Sequence, residues 1–503
     1  MSGSRDSAIR TLTSGQAAAG AGLVVASVLL LHFELMMFFI MLAAAVTFGY
    51  AMIGSFKTLL TVHALRRGPV RVSHHELQEL GDWRPTYTVL VPLYREAEVV
   101  RNLVASLRQL DYPRDRLQIL LLCEADDADT LDALWSARLT PPFEVVLVEP
   151  SHPRTKPKVC NLGLERASGR YLVVYDAEDR PEPDQLKKAV VAFRKLPRSV
   201  ICLQARLAYR NPRTNLLTRL FAAEYGTFYD MLLPSLARHG LPVPLGGTSN
   251  HFRTAALRDL GGWDSYNVTE DLDLGMWIAR RGWRVEVLDS VTWEEANSRL
   301  GNWLRQRSRW LKGYMQTYLV HMRSPLRLRR ELGTRNFIAF QMLVGATPVA
   351  ALVNPLLWGL TAAYLATGSS LIAHLFPSAV FYVGTVSMVI GNFVFIYYLV
   401  TGCMLLRQPG HAKWMLLAPL YWLLMSLAAW KAVIQLTVRP HYWEKTDHGL
   451  VAEEEEAIEA APDDWWPRVL DGQLSWNGLA GGRPAAAGGA TSDRQRAASG
   501  GFQ

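Results

Sequence analysis

The stretch 306–310 (QRSRW) combines residue types that suit a ligand with phosphate and sugar parts. Its surroundings favour a helix, on which Gln306, Arg309 and Trp310 share one face because they stand at positions i, i+3 and i+4. A guanidinium binds phosphate oxygens through paired donors, and an indole offers a flat apolar platform on which a sugar ring stacks. Taken alone, the stretch would fit a basic helix on a membrane surface better. The motifs upstream favour the first interpretation.

The acidic cluster 176–179 (DAED) is a second candidate site and follows a short apolar run. Carboxylates can hold a hard divalent cation, Mg²⁺ or Mn²⁺, which neutralises the charge of a departing diphosphate. The sequence leaves open whether Glu178 or Asp179 joins Asp176 in this role. The alternative is an acidic turn that caps a helix beginning near Pro181.

A third candidate is Thr269-Glu270-Asp271, at the start of a helical stretch that runs to Arg281. As structure, Thr269 is an ordinary helix N-cap, and acidic residues in a first turn suit the helix dipole. As chemistry, a carboxylate held there could take a proton from a sugar hydroxyl. The residues alone favour the structural interpretation, whereas the order of the motifs along the chain favours the chemical one.

The elements that must position these residues have the pattern of an α/β domain at about 85–300. β-rich runs alternate with helical stretches such as 97–110 and 183–195, which predicts a mostly parallel sheet with helices on both faces. Ligands of such sheets bind at the carboxyl ends of the strands, and the candidate residues follow the runs directly. The four runs are 87–93, 118–122, 144–148 and 171–175.

Apolar segments flank this domain. Residues 16–62 have room for a transmembrane hairpin broken near Glu34, and residues 336–437 have room for about four more helices. Six crossings are preferred and five remain open; basic residues beside the hairpin place the domain in the cytoplasm. A cleaved signal peptide is disfavoured because a second apolar run follows the first. The remaining segments are a cytoplasmic N-terminus at 1–15, interfacial helices at 301–335, a loop at 438–452 and a disordered tail at 453–503.

Composition narrows the possible partners. The net charge of +8 is concentrated at the edges of the apolar segments and in 305–335, which fits anionic lipids and an anionic substrate, and no nucleic-acid recognition motif is present. The four cysteines have neither zinc-ligand nor disulfide-framework spacing, as in a reducing compartment.

The order of the motifs resembles the membrane-embedded family 2 glycosyltransferases, the group of bacterial cellulose synthase, hyaluronan synthase and chitin synthase. The resemblance covers about residues 20–450 and rests on VPLYRE (91–96), CEADD (123–127), KPKxxN (156–161), DAED, GGTSN (246–250), TED and QRSRW. It implies an α/β GT-A domain for nucleotide-sugars joined to transmembrane helices, a divalent cation, and inversion at the anomeric carbon in one displacement.

The resemblance also assigns roles position by position. Asp271 resembles the general base, with Glu270 beside it, and Trp310 would form the floor of the acceptor site. A glutamate, Glu178, replaces the second aspartate of the family's metal-binding DxD motif. The other assignments are Tyr94, Glu96 and Glu124 to the nucleoside pocket, Lys158, Gln306 and Arg309 to the diphosphate, Asp176 with Glu178 or Asp179 to the metal, and Trp443, Lys445 and Thr446 to a loose match of the family's gating loop. For this last segment, an interfacial anchor is an equal alternative.

These observations predict an enzyme of the bacterial inner membrane, multi-pass, with its catalytic domain in the cytoplasm. It would processively build a β-linked polysaccharide from a nucleotide-sugar, preferably a UDP-sugar, on a glycan acceptor, and move the polymer across the membrane. Membrane lipids and a periplasmic or membrane export protein are the other expected partners. The alternatives are a non-processive transferase with a lipid acceptor and a non-catalytic scaffold or receptor of the same fold; a transporter is disfavoured by the large acidic domain.

Overall fold

The computed structural model describes residues 6–64, 68–81 and 83–446. The predicted tail at 453–503 and residues 447–452 of the predicted loop lie outside these ranges, as do the basic residues 66 and 67 that follow the hairpin.

A mixed sheet forms the centre of the domain. Its strands are β1 (Tyr87–Leu93), β2 (Leu117–Glu124), β3 (Phe143–Val148), β4 (Tyr171–Val174), β5 (Arg180–Pro181), β6 (Val200–Tyr209), β7 (Asn250–Arg253) and β8 (Arg284–Glu294). They lie in the order β3-β2-β1-β4-β7-β6-β8-β5. Neighbours among β1 to β4 are parallel, as are β6 and β8, whereas β7 is antiparallel to β4 and β6. The predicted mostly parallel sheet is therefore confirmed, and the four predicted runs are its first four strands.

The helices follow in chain order. Before the sheet come α1 (Ser14–Phe33), α2 (Leu35–Ala64) and α3 (His74–Gln78). The domain adds α4 (Val100–Arg108), α5 (Ala128–Ser136), α6 (Lys156–Arg166), α7 (Gln185–Lys195), α8 (Leu216–Tyr225), α9 (Leu233–Arg238), α10 (Thr254–Leu260) and α11 (Glu270–Arg280). After it come α12 (Leu300–His321), α13 (Pro325–Phe340), α14 (Ala346–Thr367), α15 (Ser370–His374), α16 (Ser378–Leu405) and α17 (Ala418–Val438). Short 3₁₀ turns occupy Arg114–Arg116 and Pro409–Leu417, and π-helical turns occupy Gly226–Leu232 and Gln341–Gly345.

Both faces of the sheet are buried, as strands with continuous apolar runs require. Side chains alternate along β1, so that Val89 and Val91 share a core with α4 and α7, while Leu90 packs on the other face with α6. Gly163 of α6 permits this contact, since a Cβ there would lie 2.8 Å from Leu122 and 2.9 Å from Leu90. The sheet is thereby held rigidly between two helical layers.

Five helical stretches of the described residues are long and apolar enough to cross a membrane. Three of them begin at or after Pro325, whereas four helices were expected in 336–437, so the count equals the five-crossing alternative. The difference has a local cause, because Pro355 lies inside α14 and does not divide it, and because α15 is only five residues long. The five stretches are Ser14–Phe33, Leu35–Thr61, Pro325–Thr367, Ser378–Leu405 and Pro409–Val438.

Helix α17 runs alongside α12. Near the start of both helices, Arg307 donates a hydrogen bond to the Tyr421 hydroxyl at 2.8 Å. Near their ends, the Gln316 amide donates to the Pro440 carbonyl oxygen at 2.8 Å. Between these points Leu311 packs against alanines of α17. Both ends of α17 therefore contact the helix that carries the QRSRW stretch.

Candidate active site

A buried lysine connects two loops at the carboxyl edge of the sheet. Lys156, at the start of α6, donates to the Asp176 carboxylate that follows β4 and to the Gly247 carbonyl oxygen at 2.7 Å. Burial alone would lower the pKa of Lys156, but the Asp176 and Glu270 carboxylates raise it above its usual value. The sequence prediction missed Lys156, although it stands two residues before Lys158 in the same KPK run.

The acidic pair Glu270 and Asp271 lies in the first turn of α11 and faces the same space. A Cβ atom placed on Gly247 would lie 3.4 Å from Asp271 Oδ2 and 3.9 Å from Lys156 Nζ, so the Asp271 carboxylate and the Lys156 ammonium both lie next to this glycine. Burial raises the pKa of Asp271 to about 6, and burial together with Asp271 raises that of Glu270 to about 8. Burial thus raises the pKa of both carboxyl groups, and a carboxylate with a raised pKa is a better proton acceptor than an exposed one.

The carboxylates of the acidic turn after β4 differ in their solvent exposure. Asp179 is buried, and it accepts hydrogen bonds from the Asp176 backbone nitrogen at 2.7 Å and from the Thr248 hydroxyl. Asp176 and Glu178 stay partly exposed at the edge. The turn does not cap a helix near Pro181, because a short strand follows and α7 begins at Gln185.

The donor set of this turn fits a hard cation. Two carboxylates and the diphosphate oxygens of a ligand are the oxygen-rich environment that Mg²⁺ and Mn²⁺ prefer. Within residues 6–64, 68–81 and 83–446, no three His, Cys, Asp or Glu side chains group closely enough to enclose a metal by themselves. A cation here would therefore depend on ligand oxygens as well as on Asp176 and Glu178.

The predicted nucleoside residues lie around the end of β2. Glu124 is buried, and Lys158 donates to its Oε1 at 3.2 Å, while Oε2 has no hydrogen-bond partner. The structure thus places Lys158 beside Glu124, while Lys156 occupies the position nearest the acidic turn. Tyr94 and Glu96 follow β1 next to this pair.

Helix α12 positions the QRSRW residues beside the acidic pair. Gln306 is buried and accepts from the Asn297 amide at 3.0 Å. Burial lowers the pKa of Arg309, while the carboxylates of Glu270 and Asp271 act against the shift, which places the guanidinium in the field of the acidic pair. Its Nε atom is buried and has no hydrogen-bond partner.

Trp310 belongs to an aromatic cluster beside this arginine. Its ring stacks on Tyr225 with a centroid distance of 6.4 Å and meets the edge of Phe221 at 6.1 Å. The Arg307 guanidinium lies 4.7 Å from the Trp310 ring and pairs with Glu224, with Nη1 3.0 Å from Oε1. Arg307 was not among the predicted site residues.

The segment after α17 reaches the site from the far end of the chain. Lys445 donates to the carbonyl oxygens of Tyr94 at 2.7 Å and Arg95 at 2.6 Å, and its nitrogen lies 3.1 Å from Glu96. The Trp443 ring lies 4.5 Å from the Arg309 guanidinium, and Thr446 is buried. These three residues therefore cover the predicted nucleoside and diphosphate positions.

Comparison with known proteins supports this picture. Residues 85–313 match the family described as "Glycosyltransferase like family 2". Beta-monoglucosyldiacylglycerol synthase of Trichormus variabilis is 27% identical over 320 residues, 62% of this chain and 66% of that protein. Glucomannan 4-beta-mannosyltransferase 2 of Arabidopsis thaliana is 26% identical over 223 residues, 42% of this chain and 41% of that protein. The chain thus spans less than two thirds of the length of each relative.

A solved structure shows the same fold. The mannosyltransferase PcManGT from Pyrobaculum calidifontis, solved in complex with GDP-Man and Mn²⁺, aligns with a TM-score of 0.51 and 20% identity, covering 80% of this chain and 99% of its own. The predicted GT-A fold is therefore confirmed. Together with the family match, this identifies residues 85–313 as a family 2 glycosyltransferase domain.

Proposed function

We propose that the protein transfers a sugar from a nucleoside diphosphate sugar to a hydroxyl acceptor with inversion at the anomeric carbon. The observation that carries this proposal is the convergence of the Asp271 carboxyl group with the Lys156–Asp176 pair and the Arg309 guanidinium at one edge of the sheet. A proton acceptor thus lies beside groups that can hold a diphosphate. An inverting transfer needs these two functions on opposite sides of the reacting carbon.

The chemical step follows from these positions. Asp271 takes the proton of the acceptor hydroxyl while that oxygen forms a bond to the anomeric carbon. The bond between this carbon and the diphosphate oxygen breaks, and the electron pair leaves with the diphosphate. Arg309 donates hydrogen bonds to the leaving group, with Lys156 close by. Asp176 and Glu178 would hold a divalent cation that neutralises the negative charge of the diphosphate.

The Glu124–Lys158 pair supports a uracil or guanine nucleotide. The ammonium can donate to a base carbonyl oxygen, and the unpaired, buried Glu124 Oε2 can accept from the adjacent ring N–H. Uracil and guanine carry this combination, whereas adenine and cytosine present an amino donor beside a ring-nitrogen acceptor. We therefore propose UDP-sugars first and GDP-sugars second as donors.

The acceptor is proposed to be a growing β-linked glycan. The partly exposed Trp310 ring lies next to Arg309 on α12 and is supported from behind by the buried Tyr225 ring, and a flat apolar ring of this kind can stack on a sugar. A platform that receives each new terminal sugar favours repeated addition, with the polymer leaving across the membrane. Similarity to a glucomannan mannosyltransferase supports this choice.

A lipid acceptor is the second candidate, and a specific contact favours it. The π-helical turn that directly follows Tyr225 packs on a helix that could cross the membrane, since a Cβ at Gly226 would lie 2.7 Å from the Gly402 carbonyl oxygen of α16. A lipid headgroup could therefore approach Trp310 from the bilayer. Similarity to a glucosyldiacylglycerol synthase points the same way.

Four membrane crossings fit the contacts best. Helices α2 and α16 each have one end on the domain, through Leu60 with Ser235 (2.7 Å) and Gly402 with Gly226. Helices α1 and α14 each have one end on α12, through Gln16 with the Leu319 carbonyl oxygen (2.7 Å) and Gly345 with Tyr318. Helix α17 has both ends there, so we propose that it lies along the membrane surface. An even number of crossings keeps Trp443 and Lys445 on the same side of the membrane as the catalytic domain. We propose that this is the cytoplasmic side of a bacterial inner membrane. Cysteines introduced at Ser370 and Tyr442 would test this: only the first should react with an impermeant maleimide added outside intact cells.

Nucleoside diphosphate release tests the proposed function. The purified protein in nanodiscs is supplied with Mg²⁺ or Mn²⁺ and a panel of UDP-, GDP- and ADP-sugars, and the product is sized on a gel. Release from one UDP- or GDP-sugar with a long product is expected. Release with one sugar on a lipid would select the second candidate. If no donor in the panel releases nucleoside diphosphate, with or without an oligosaccharide primer, the transferase proposal is overturned and a scaffold is favoured.

A further inference from the structure

We infer that the buried face of α12 formed by Gly313, Gln316 and Thr317 is a positioning device that sets the location of Asp271 relative to Arg309. The inference rests on the proposed role of Asp271 as the base. Arg309 and this face belong to one helix, while Asp271 stands on α11. A rigid contact between the two helices would fix the distance between the proton acceptor and the diphosphate-binding arginine.

Gly313 makes this contact possible. Glycine disfavours the interior of a helix, yet α12 continues through Gly313 to His321. The reason for a glycine is steric: a Cβ on Gly313 would overlap the Thr269 side chain, including Thr269 Cβ at 2.7 Å. Thr269 is the N-cap of α11, but its side chain makes no capping hydrogen bond. Its side chain thus packs against α12, two residues before Asp271.

Two polar contacts next to Gly313 hold the same loop. The Asn267 amide donates to the Thr317 hydroxyl at 3.0 Å, and Asn267 Oδ1 accepts from the Thr269 backbone nitrogen at 3.0 Å. Gln316 Oε1 accepts from the Val268 backbone nitrogen at 3.1 Å. Asn267, Thr317 and Gln316 are almost completely buried, so these bonds are shielded from water.

Gln316 extends the device to the segment that covers the site. While its oxygen holds the loop before Asp271, its amide nitrogen donates to the Pro440 carbonyl oxygen at 2.8 Å. His441, the next residue, lies with Nδ1 3.2 Å from the Tyr266 carbonyl oxygen. The base and the covering segment are therefore held by one side chain, so they should move together.

The first test is a glycine exchange across the contact. Gly313→Ala should lower kcat by about 100-fold, because a displacement of the base by about 1 Å has an effect of that size. The KM for the donor should change less than twofold. In the double variant Thr269→Gly with Gly313→Ala, the Thr269 side chain is absent, so the methyl group of the new alanine fits in its place. This variant should recover at least tenfold of the lost kcat. Gly301→Ala is the matched control, since nothing lies within 4 Å of its added Cβ on the same helix.

A second variant covers the case in which Gly313→Ala fails to fold. Thr317→Val keeps the shape and removes the hydroxyl; it should lower kcat severalfold at unchanged donor KM, and Thr317→Ser should restore it. The inference is overturned if Gly313→Ala folds and keeps its kcat, if the exchange variant recovers nothing, or if Thr317→Val raises the donor KM instead. An inactive wild-type protein would instead refute the proposed function, so the two failures are distinguishable.

Discussion

The pH dependence of transfer gives a quantitative test of the proposed base. Asp271 has a pKa of about 6, raised chiefly by burial, with Lys156 and Arg309 acting in the opposite direction. The raised pKa disfavours the ionised form, and only that form accepts a proton, so activity should be lost as the pH falls through 6. The ionised fraction is about 90% at pH 7 and about 10% at pH 5. We therefore expect kcat/KM to fall roughly tenfold over this range, whereas an aspartate with an ordinary pKa of about 3.9 would stay mostly ionised.

The assay is nucleoside diphosphate release measured from pH 4.5 to 8, with donor affinity measured separately at each pH. Asp271→Asn should lose about 10²- to 10⁴-fold of kcat, the usual contribution of a general base, and its residual rate should not follow the pKa near 6. Donor binding should survive in this variant. A wild-type profile that is flat down to pH 5, or Asp271→Asn losing donor binding together with kcat, would refute the assignment.

The structure makes further predictions for three other parts of the site. Trp310→Ala should shorten the product while leaving donor affinity within about twofold, and an unchanged product length would contradict the platform role. Glu178→Gln should weaken the Mn²⁺-dependent part of donor binding, measured by calorimetry. Asp179→Asn should mainly lower the Tm, because Asp179 accepts hydrogen bonds inside its own turn. The reverse pattern would exchange the roles of the two residues. Arg307→Met should destabilise the protein by about 1–3 kcal/mol, because Glu224 loses its ion pair and keeps the Tyr421 hydroxyl as a hydrogen-bond donor. Adding Glu224→Met should recover part of the lost Tm; no recovery would mean that the ion pair is not the cause.

The domain could be predicted from the sequence because its strands are short apolar runs with clear ends. Runs buried on both faces are characteristic of parallel strands, and ligands of such sheets bind beyond their carboxyl ends. This pattern predicts Asp176 and Glu124 at the carboxyl ends of their strands, and the structure has Glu124 at the end of β2 and Asp176 after β4. The sequence also predicts the acidic turn, but it does not show which of its carboxylates is buried, since the burial of Asp179 depends on the fold.

Several features depend on contacts between distant parts of the chain, which local patterns do not reveal. Lys156 and Lys158 are chemically alike, and only the direction of α6 shows which of them reaches Asp176. Pro355 suggests a break, but a proline inside an apolar helix is tolerated when its neighbours satisfy the freed backbone group. Gly313 also looks like a breaker until Thr269 is seen to pack against it.

An inverting transfer with Asp271 as the base can be verified from the configuration of the product. The product made by the purified protein from the active nucleotide-sugar is analysed by NMR for the anomeric configuration of the newly formed bond. We expect inversion relative to the donor, that is, a β-linkage from an α-configured donor, formed at a rate that Asp271→Asn lowers by about 10²- to 10⁴-fold. A product with retained configuration, or an inverted product still formed at the wild-type rate by Asp271→Asn, would contradict it.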